Sequence, residues 1–410
     1  MQNRVDKKIN LKSNRNRFII QSFFLVAATA SVEPATVMPL IVDYFNGSEV
    51  LTGLLMTLMK GGAVVMQMWA AFHARNKPRV IPYLRRVFTA RFGTWFALGI
   101  VMLMGLTASD SVVLILFSVL LFLFSFSAGF GVIYYQEISG KSFTKEYRGK
   151  MFAMRQIASG LAGIAAGGIS GYVLANIEKP NAFAYLFMVS GIIMATGFAV
   201  FWNFKEPVKI KVDKKFSSFK EFLGDAVMLL RADKELIQLV LIKFFSFGFM
   251  LIMPFVILHA KNNFGIEGKD VGIIISMLMV GAVLSSVLWG MLTVKNRNRC
   301  IVIVSFVLAI AGVVFAFYGK SIEALYPVYF LFGAARDGFK LSVTNILLTI
   351  APEEKRPAYI AVQNNLSSLG LFLPIIGGII YKYIDFSTLS LITIGFLILG
   401  LLISFRLRRI

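Results

Sequence analysis

Residues 111–135 read SVVLILFSVLLFLFSFSAGFGVIYY, an uncharged stretch longer than the roughly 20 apolar residues a helix needs to cross a bilayer. Backbone groups in lipid need partners within the protein, and a helix supplies them inside a single run. Comparable runs recur on both sides, over 18–42, 50–73, 87–106, 151–174, 183–203, 236–258, 270–293, 300–318, 325–350, 358–381 and 387–405. The sequence therefore predicts an all-α membrane protein of twelve transmembrane helices, here numbered as spans 1 to 12. Composition agrees, because 57% of the 410 residues are hydrophobic and 15% charged, a balance foreign to a water-soluble surface.

The formal net charge of +21 raises the alternative of a nucleic-acid binder, which needs a basic face on a soluble fold. The cations lie between the apolar runs instead. Of 42 lysines and arginines, 31 fall in the N-terminal arm, the loops after even-numbered spans and the C-terminal end, and 5 in the loops after odd-numbered spans. The positive-inside rule then places both termini in the cytoplasm and the turn at 46–49 outside. Nucleic acid is not an expected partner; the lipid bilayer is.

Cys300 is the single cysteine, and the only histidines are His73 and His259, both near predicted helix ends. Neither a disulfide framework nor a metal site is expected, and no cofactor is implied. Ala28-Thr29-Ala30 has the small-x-small form of a signal-peptide cleavage site, but apolar sequence continues through Leu40-Ile41-Val42, long enough to be kept as span 1. The spans hold no catalytic constellation and the chain no Gly-x-x-x-x-Gly-Lys-Ser/Thr phosphate loop, so neither an enzyme nor an ATP-driven pump is expected. The lack of cysteine pairs and of any long outer loop fits a bacterial inner membrane.

A lysine-rich connection over 204–235, with Lys205, Lys209, Lys211, Lys214, Lys215 and Lys220, divides the chain into a cytoplasmic arm (1–17), a first six-helix half (18–203) and a second (236–410). Inside it Phe219, Phe222, Leu223, Val227 and Leu230 recur at helical spacing, as in an amphipathic helix on the membrane surface. The halves resemble each other in order. Met38-Pro39 answers to Met253-Pro254, Thr52-Gly53-Leu54 to Val271-Gly272-Ile273, and Gly62-Ala63-Val64 to Gly281-Ala282-Val283. In span 5, Gly160 and Gly167-Gly168 match Gly370 and Gly377-Gly378 of span 11. Such repeats mark proteins that move solutes by rocking two halves about a midplane site.

Two six-helix halves, cytoplasmic termini and a long central loop in about 400 residues resemble the major facilitator superfamily over essentially the whole chain. The family signature Gly-x-x-x-Asp-Arg-x-Gly-Arg-Arg is met in part by residues 70–79, where Arg75 and Arg79 match while the aspartate and both glycines are missing. The copy at 290–299 keeps Gly290 and its basic character and again lacks the acid. Gly163-Ile164-Ala165-Ala166-Gly167-Gly168 is similar to the Gly-Pro-x-x-Gly-Gly antiporter motif with isoleucine for proline. Its simpler reading is close packing, since Ser159, Gly163, Gly167 and Gly171 form one small-residue face. Pro374, between Gly370 and Gly377, reads as a bend first and a gating hinge second.

Six cations fall inside the spans: Lys60, Arg91, Arg155, Lys243, Arg336 and Lys340. A charge at the bilayer centre costs about 2.5 to 3.5 kcal/mol on insertion scales, so each needs a partner, a cavity or a route to the surface. Arg91 and Arg155 are near enough to the cytoplasmic side to snorkel. Glu33, Lys60, Arg336, Asp337 and Lys340 lie nearest mid-span, with Lys243 intermediate. The resemblance implies that spans 1, 4, 7 and 10 line the cavity, and Glu33, Lys243, Arg336, Asp337 and Lys340 all fall on these. Depth further suggests that Glu33 and Lys60 approach one another. Tyr134 and Tyr135 read as interfacial anchors.

The expected function is therefore secondary active transport of a small solute, anionic or zwitterionic, by alternating access in a monomer, with a proton or another ion as a possible coupling partner. An exporter of amphiphilic or lipophilic compounds is the nearest alternative. A non-transporting receptor is another, against which stands the lack of a sensory domain or signalling tail.

Overall fold

A computed structural model describes residues 2–75, 77–143, 145–208, 233–352 and 356–407. The described residues are helical and contain no strand. The first half comprises α1 (Gln2–Ser31), α2 (Val37–Tyr44), α3 (Glu49–Arg75), α4 (Ile81–Met104), α5 (Asp110–Ser142), α6 (Lys145–Asn176) and α7 (Asn181–Trp202). The second comprises α8 (Lys234–Ser246), α9 (Met253–Phe264), α10 (Gly268–Val294), α11 (Asn298–Tyr318), α12 (Leu325–Ile350), α13 (Arg356–Ser367), α14 (Leu373–Tyr383) and α15 (Phe386–Ser404). The amphipathic helix expected around Phe219 to Leu230 lies outside the described residues.

Among the described residues, 10 spans are long and apolar enough to cross a membrane. The two remaining predicted runs depart from the simple pattern for visible reasons. Span 1 follows the polar first half of α1 and is interrupted between Ser31 and Val37, and α12 carries Arg336, Asp337 and Lys340 in its middle.

Three spans expected as continuous helices are broken. In span 1 the ladder stops at Val32-Glu33-Pro34, and the Glu33 carbonyl accepts from the N–H of Thr36 at 3.0 Å and of Val37 at 2.9 Å. Span 7 tightens into a 3-10 turn over Phe247–Leu251, and span 11 does so over Ser368–Phe372. Each break is followed by a proline in the first turn of the next helix (Pro39, Pro254, Pro374), where its missing N–H leaves no donor unmet. The repeat seen in sequence thus has a structural meaning, because Met38-Pro39 and Met253-Pro254 head the two equivalent half-helices α2 and α9. Those half-helices pack against each other. Each is followed by a left-handed residue, Asn46 at φ 51° and Gly265 at φ 69°.

The described residues form two compact units, those within 1–32 and 58–215 and those within 33–57 and 216–410. In the first unit α1 packs against α6 and α7, and α4 against α5 and α7. In the second, α12 packs against α10 and α11, and α15 against α11 and α8. Small residues let equivalent pairs approach closely in both. A Cβ on Gly129 would stand 2.4 Å from the Ala63 carbonyl oxygen, and one on Gly333 2.0 Å from that of Leu278. The predicted small-residue face of α6 is buried at Ser159, Gly163, Gly167 and Gly171. Beside it Ser159 bonds Ser22 at 3.1 Å, and Ser170 donates to the Ser31 carbonyl at 2.7 Å. Gly168 is exposed, with open space where a side chain would go.

Candidate functional site

The break in span 1 sets the position of Glu33. Released from the helical ladder, its side chain is 10% exposed, and its carboxylate lies 3.5 Å from the guanidinium of Arg336 on α12. The Arg336 side chain keeps 35% of its surface open. Asp337 follows on the same turn within electrostatic reach of both Arg336 and Lys340, and Lys340 is exposed one turn further on. Behind this group Tyr329 is fully buried, its hydroxyl donating to the Met253 carbonyl at 3.3 Å, which ties α12 to the head of α9.

Lys243 lies on span 7, with a partner of its own. It stands near the end of α8 and donates to the Asn364 side-chain carbonyl on α13 at 2.6 Å. Five of the six residues expected to bind or couple therefore belong to one unit: Glu33, Lys243, Arg336, Asp337 and Lys340. Lys60 belongs to the other, exposed on α3. The partner found for Glu33 is Arg336, a pairing the depth argument did not anticipate.

The charges of α12 have no counterpart in the equivalent helix of the other repeat. Aligning Gly129 with Gly333 and Phe126 with Phe330 sets Val132, Ile133 and Gln136 opposite Arg336, Asp337 and Lys340. Span 4 thus has no charged counterpart. The other intramembrane cations meet aromatic faces in the first unit. Arg91 lies 4.4 Å from the centre of the Phe124 ring, and Arg155 lies 5.0 Å from that of Tyr135 while bonding Ser22 at 2.5 Å. Tyr134 is buried at 2% exposure and bonded to His73 at 2.9 Å, which corrects its reading as an interfacial anchor.

Span 11 brings the remaining gate candidates against residues 33–57. A Cβ on Gly53 would meet the Pro374 carbonyl oxygen at 2.1 Å, one on Gly378 the Glu49 carbonyl at 2.5 Å, and one on Gly377 the Leu251 carbonyl at 2.0 Å. Gly370 is closed by the ring of Phe247. Thr57 donates to the Leu371 carbonyl at 2.7 Å, and Lys261 of α9 pairs with Asp43 of α2. The ends of spans 1 and 2 remote from the basic loops are thereby held within the second unit by backbone-close contacts and an ion pair.

Arg75 ends α3, and Arg79 is exposed in the connection that follows. The acid missing from that connection is supplied by a residue that sequence reasoning passed over. Glu206, just after α7, has a side chain only 2% exposed and accepts from the N–H of Val80 at 3.0 and 2.9 Å, of Ile81 at 2.9 Å, and from Lys141 at 3.1 Å. It caps α4, whose first turn, with proline, has donors to spare. Glu206→Gln should lose about 1 to 3 kcal/mol of stability, read as a lower thermal midpoint in detergent, because buried charge-assisted bonds become neutral ones. An unchanged midpoint would count against the cap.

Asn364 was also missed. Its signal was the run Gln363-Asn364-Asn365, three amides inside an apolar span. No metal-binding cluster of His, Cys, Asp and Glu occurs among the described residues.

A membrane-embedded bundle of broken helices with internal repeats and a cluster of charges within its spans is the architecture of a secondary transporter. The Major Facilitator Superfamily profile matches residues 18–255 and 239–410, and the chain belongs to that family. Solved structures agree in fold. A point mutant of the nucleoside transporter NupG superposes with a TM-score of 0.74 at 13% identity, covering 96% of this chain and 99% of that one. A bacterial homologue of the human lysosomal transporter Spinster, inward-facing and occupied, gives 0.65 at 15% over 96% and 95%, and the human organic anion transporter MFSD10 gives 0.68 at 12% over 96% and 99%. None of the curated proteins compared is significantly similar in sequence. The protein is thus an integral, multi-pass transmembrane transporter of a small molecule, not an enzyme.

Proposed function

We propose that this transporter carries a small organic anion, or a zwitterion with an acidic group, by alternating access. The observation that carries the reading is Arg336, whose guanidinium sits midway along α12 beside a nearly buried carboxylate and keeps a third of its side chain open. Exposing that charge to lipid would be costly, so the open part suits an aqueous or solute-filled cavity. Lys243, Arg336 and Lys340 set three positive charges against the two negative charges of Glu33 and Asp337. This excess of cations among the named residues favours an anionic ligand. Asp337, the second acid among these residues, is the candidate for exchange of a coupling proton. Residues 33–57 serve as the gate on the side remote from the basic loops, and the small residues of spans 2 and 11 allow its close seal.

The relatives' names span both charged and uncharged cargo, an organic anion in one case and nucleosides in another, and the charge cluster favours the first. A comparative uptake and efflux screen in cells with and without the protein tests this. Differential movement of carboxylates or phosphates supports the reading, and movement of uncharged lipophilic compounds alone contradicts it.

We further propose that both termini face the cytoplasm, with 1–17 an arm, 204–235 a linker and 18–203 and 236–410 the moving halves. In a Cys300→Ser background, which removes the exposed native thiol, an impermeant maleimide should label Lys320→Cys in intact cells and Arg79→Cys only after permeabilisation. The reverse pattern would invert the orientation.

A further inference from the structure

We propose that a groove between α4 and α7 binds an anionic phospholipid, its acyl chain lying along the groove and its phosphate held by Arg17 and Arg85. The groove holds about 370 Å³, and Phe88, Phe92, Phe198 and Trp202 line its walls with Ala195 and Ala199. An aromatic slot with small residues at i and i+4 accepts a hydrocarbon chain and offers a polar solute almost nothing to bond.

Its charged end gives the lipid a sign. Trp202 and Asn203 close the groove at the end of α7, and both of their carbonyls draw in a guanidinium. Arg85 donates to the Trp202 carbonyl at 3.1 and 2.7 Å and lies 5.2 Å from the centre of the Trp202 ring, and Arg17 donates to the Asn203 carbonyl. Carbonyls neutralise no charge, and a guanidinium has donors beyond those used here. Among the described ion pairs neither arginine meets a carboxylate. The acid nearest along the chain, Glu206, is committed to Val80, Ile81 and Lys141. Two cations at adjacent carbonyls, above an apolar slot, match a phosphodiester with its tail below. Tyrosine and tryptophan at span ends are common interfacial anchors, but they would not require paired arginines.

The test is native mass spectrometry of the full-length protein in mixed micelles holding equal phosphatidylglycerol and phosphatidylcholine. The wild type should retain phosphatidylglycerol preferentially, with roughly a fivefold preference contributed by each arginine. Arg17→Gln with Arg85→Gln should erase the preference, and lysine at both positions should keep most of it. Ala199→Phe, which fills the slot and leaves both charges in place, should reduce retention of either lipid. Four outcomes would overturn the proposal: an unchanged preference in the double glutamine variant, loss of preference in the lysine variant, wild-type retention in Ala199→Phe, or displacement of the lipid by inorganic phosphate.

Discussion

An Arg336→Lys transporter should reach the membrane at normal abundance and bind its solute at least about tenfold more weakly, the scale of one lost charge-assisted hydrogen bond. Lysine keeps the charge that Glu33 requires, but it has no planar fork with which to hold a carboxylate or phosphate while also facing Glu33. Arg336→Gln should do more damage. It leaves a carboxylate whose side chain is 10% exposed without its cation, and breaking a buried pair from one side costs roughly 3 to 5 kcal/mol. That range is an upper bound here, since the separation is 3.5 Å and Arg336 is 35% open. Removing both charges, as Glu33→Gln with Arg336→Gln, should recover most of the thermal stability and none of the transport. Thermal midpoints by fluorescence-detected size exclusion, paired with uptake at matched abundance, separate the two effects. Additive destabilisation in the double variant would show that the residues do not act as a pair.

Gly53→Val should abolish transport while opening the side of the protein remote from the basic loops. Its Cβ would lie 2.1 Å from a backbone oxygen of Pro374, a contact that no rotamer change relieves. Overpacking of this kind costs about 1 to 3 kcal/mol, which reduces the sealed state roughly 5- to 150-fold relative to one in which spans 2 and 11 part. Leu258 reports the change, since it is 3% exposed and lines a small polar cavity with Thr52 and Tyr381. In the Cys300→Ser background, Leu258→Cys should resist impermeant maleimide, and adding Gly53→Val should make it reactive. Protection in both, with transport retained, would remove residues 33–57 from the gate.

The repeat was legible because glycine and proline mark backbone events. Pro39 and Pro254 head equivalent half-helices, and Gly62 and Gly281 sit where two helices nearly touch. Hydropathy alone could not show the breaks after Ser31 and Ser246, since Val32 and the run from Phe247 to Ile252 are as apolar as the helices they interrupt. The cluster on α12 was legible as a costly run of charges. Its partner was not, because depth along a span places Glu33 at a level in the membrane and not on a face, and Lys60 and Arg336 satisfy the same depth argument. Glu206 was hidden for another reason: a single acid after span 6 looks like a solvated loop residue until the chain folds it onto the free N–H groups of α4.

The central claim, an anion carrier whose cargo is held by Arg336, is tested most directly in proteoliposomes of purified protein offered radiolabelled carboxylates, organic phosphates and uncharged amphiphiles in parallel. At least one anion or acid-bearing zwitterion should accumulate with the wild type, and Arg336→Lys should slow its uptake at subsaturating concentration. Transport of uncharged compounds alone, at equal rates in both proteins, would contradict it.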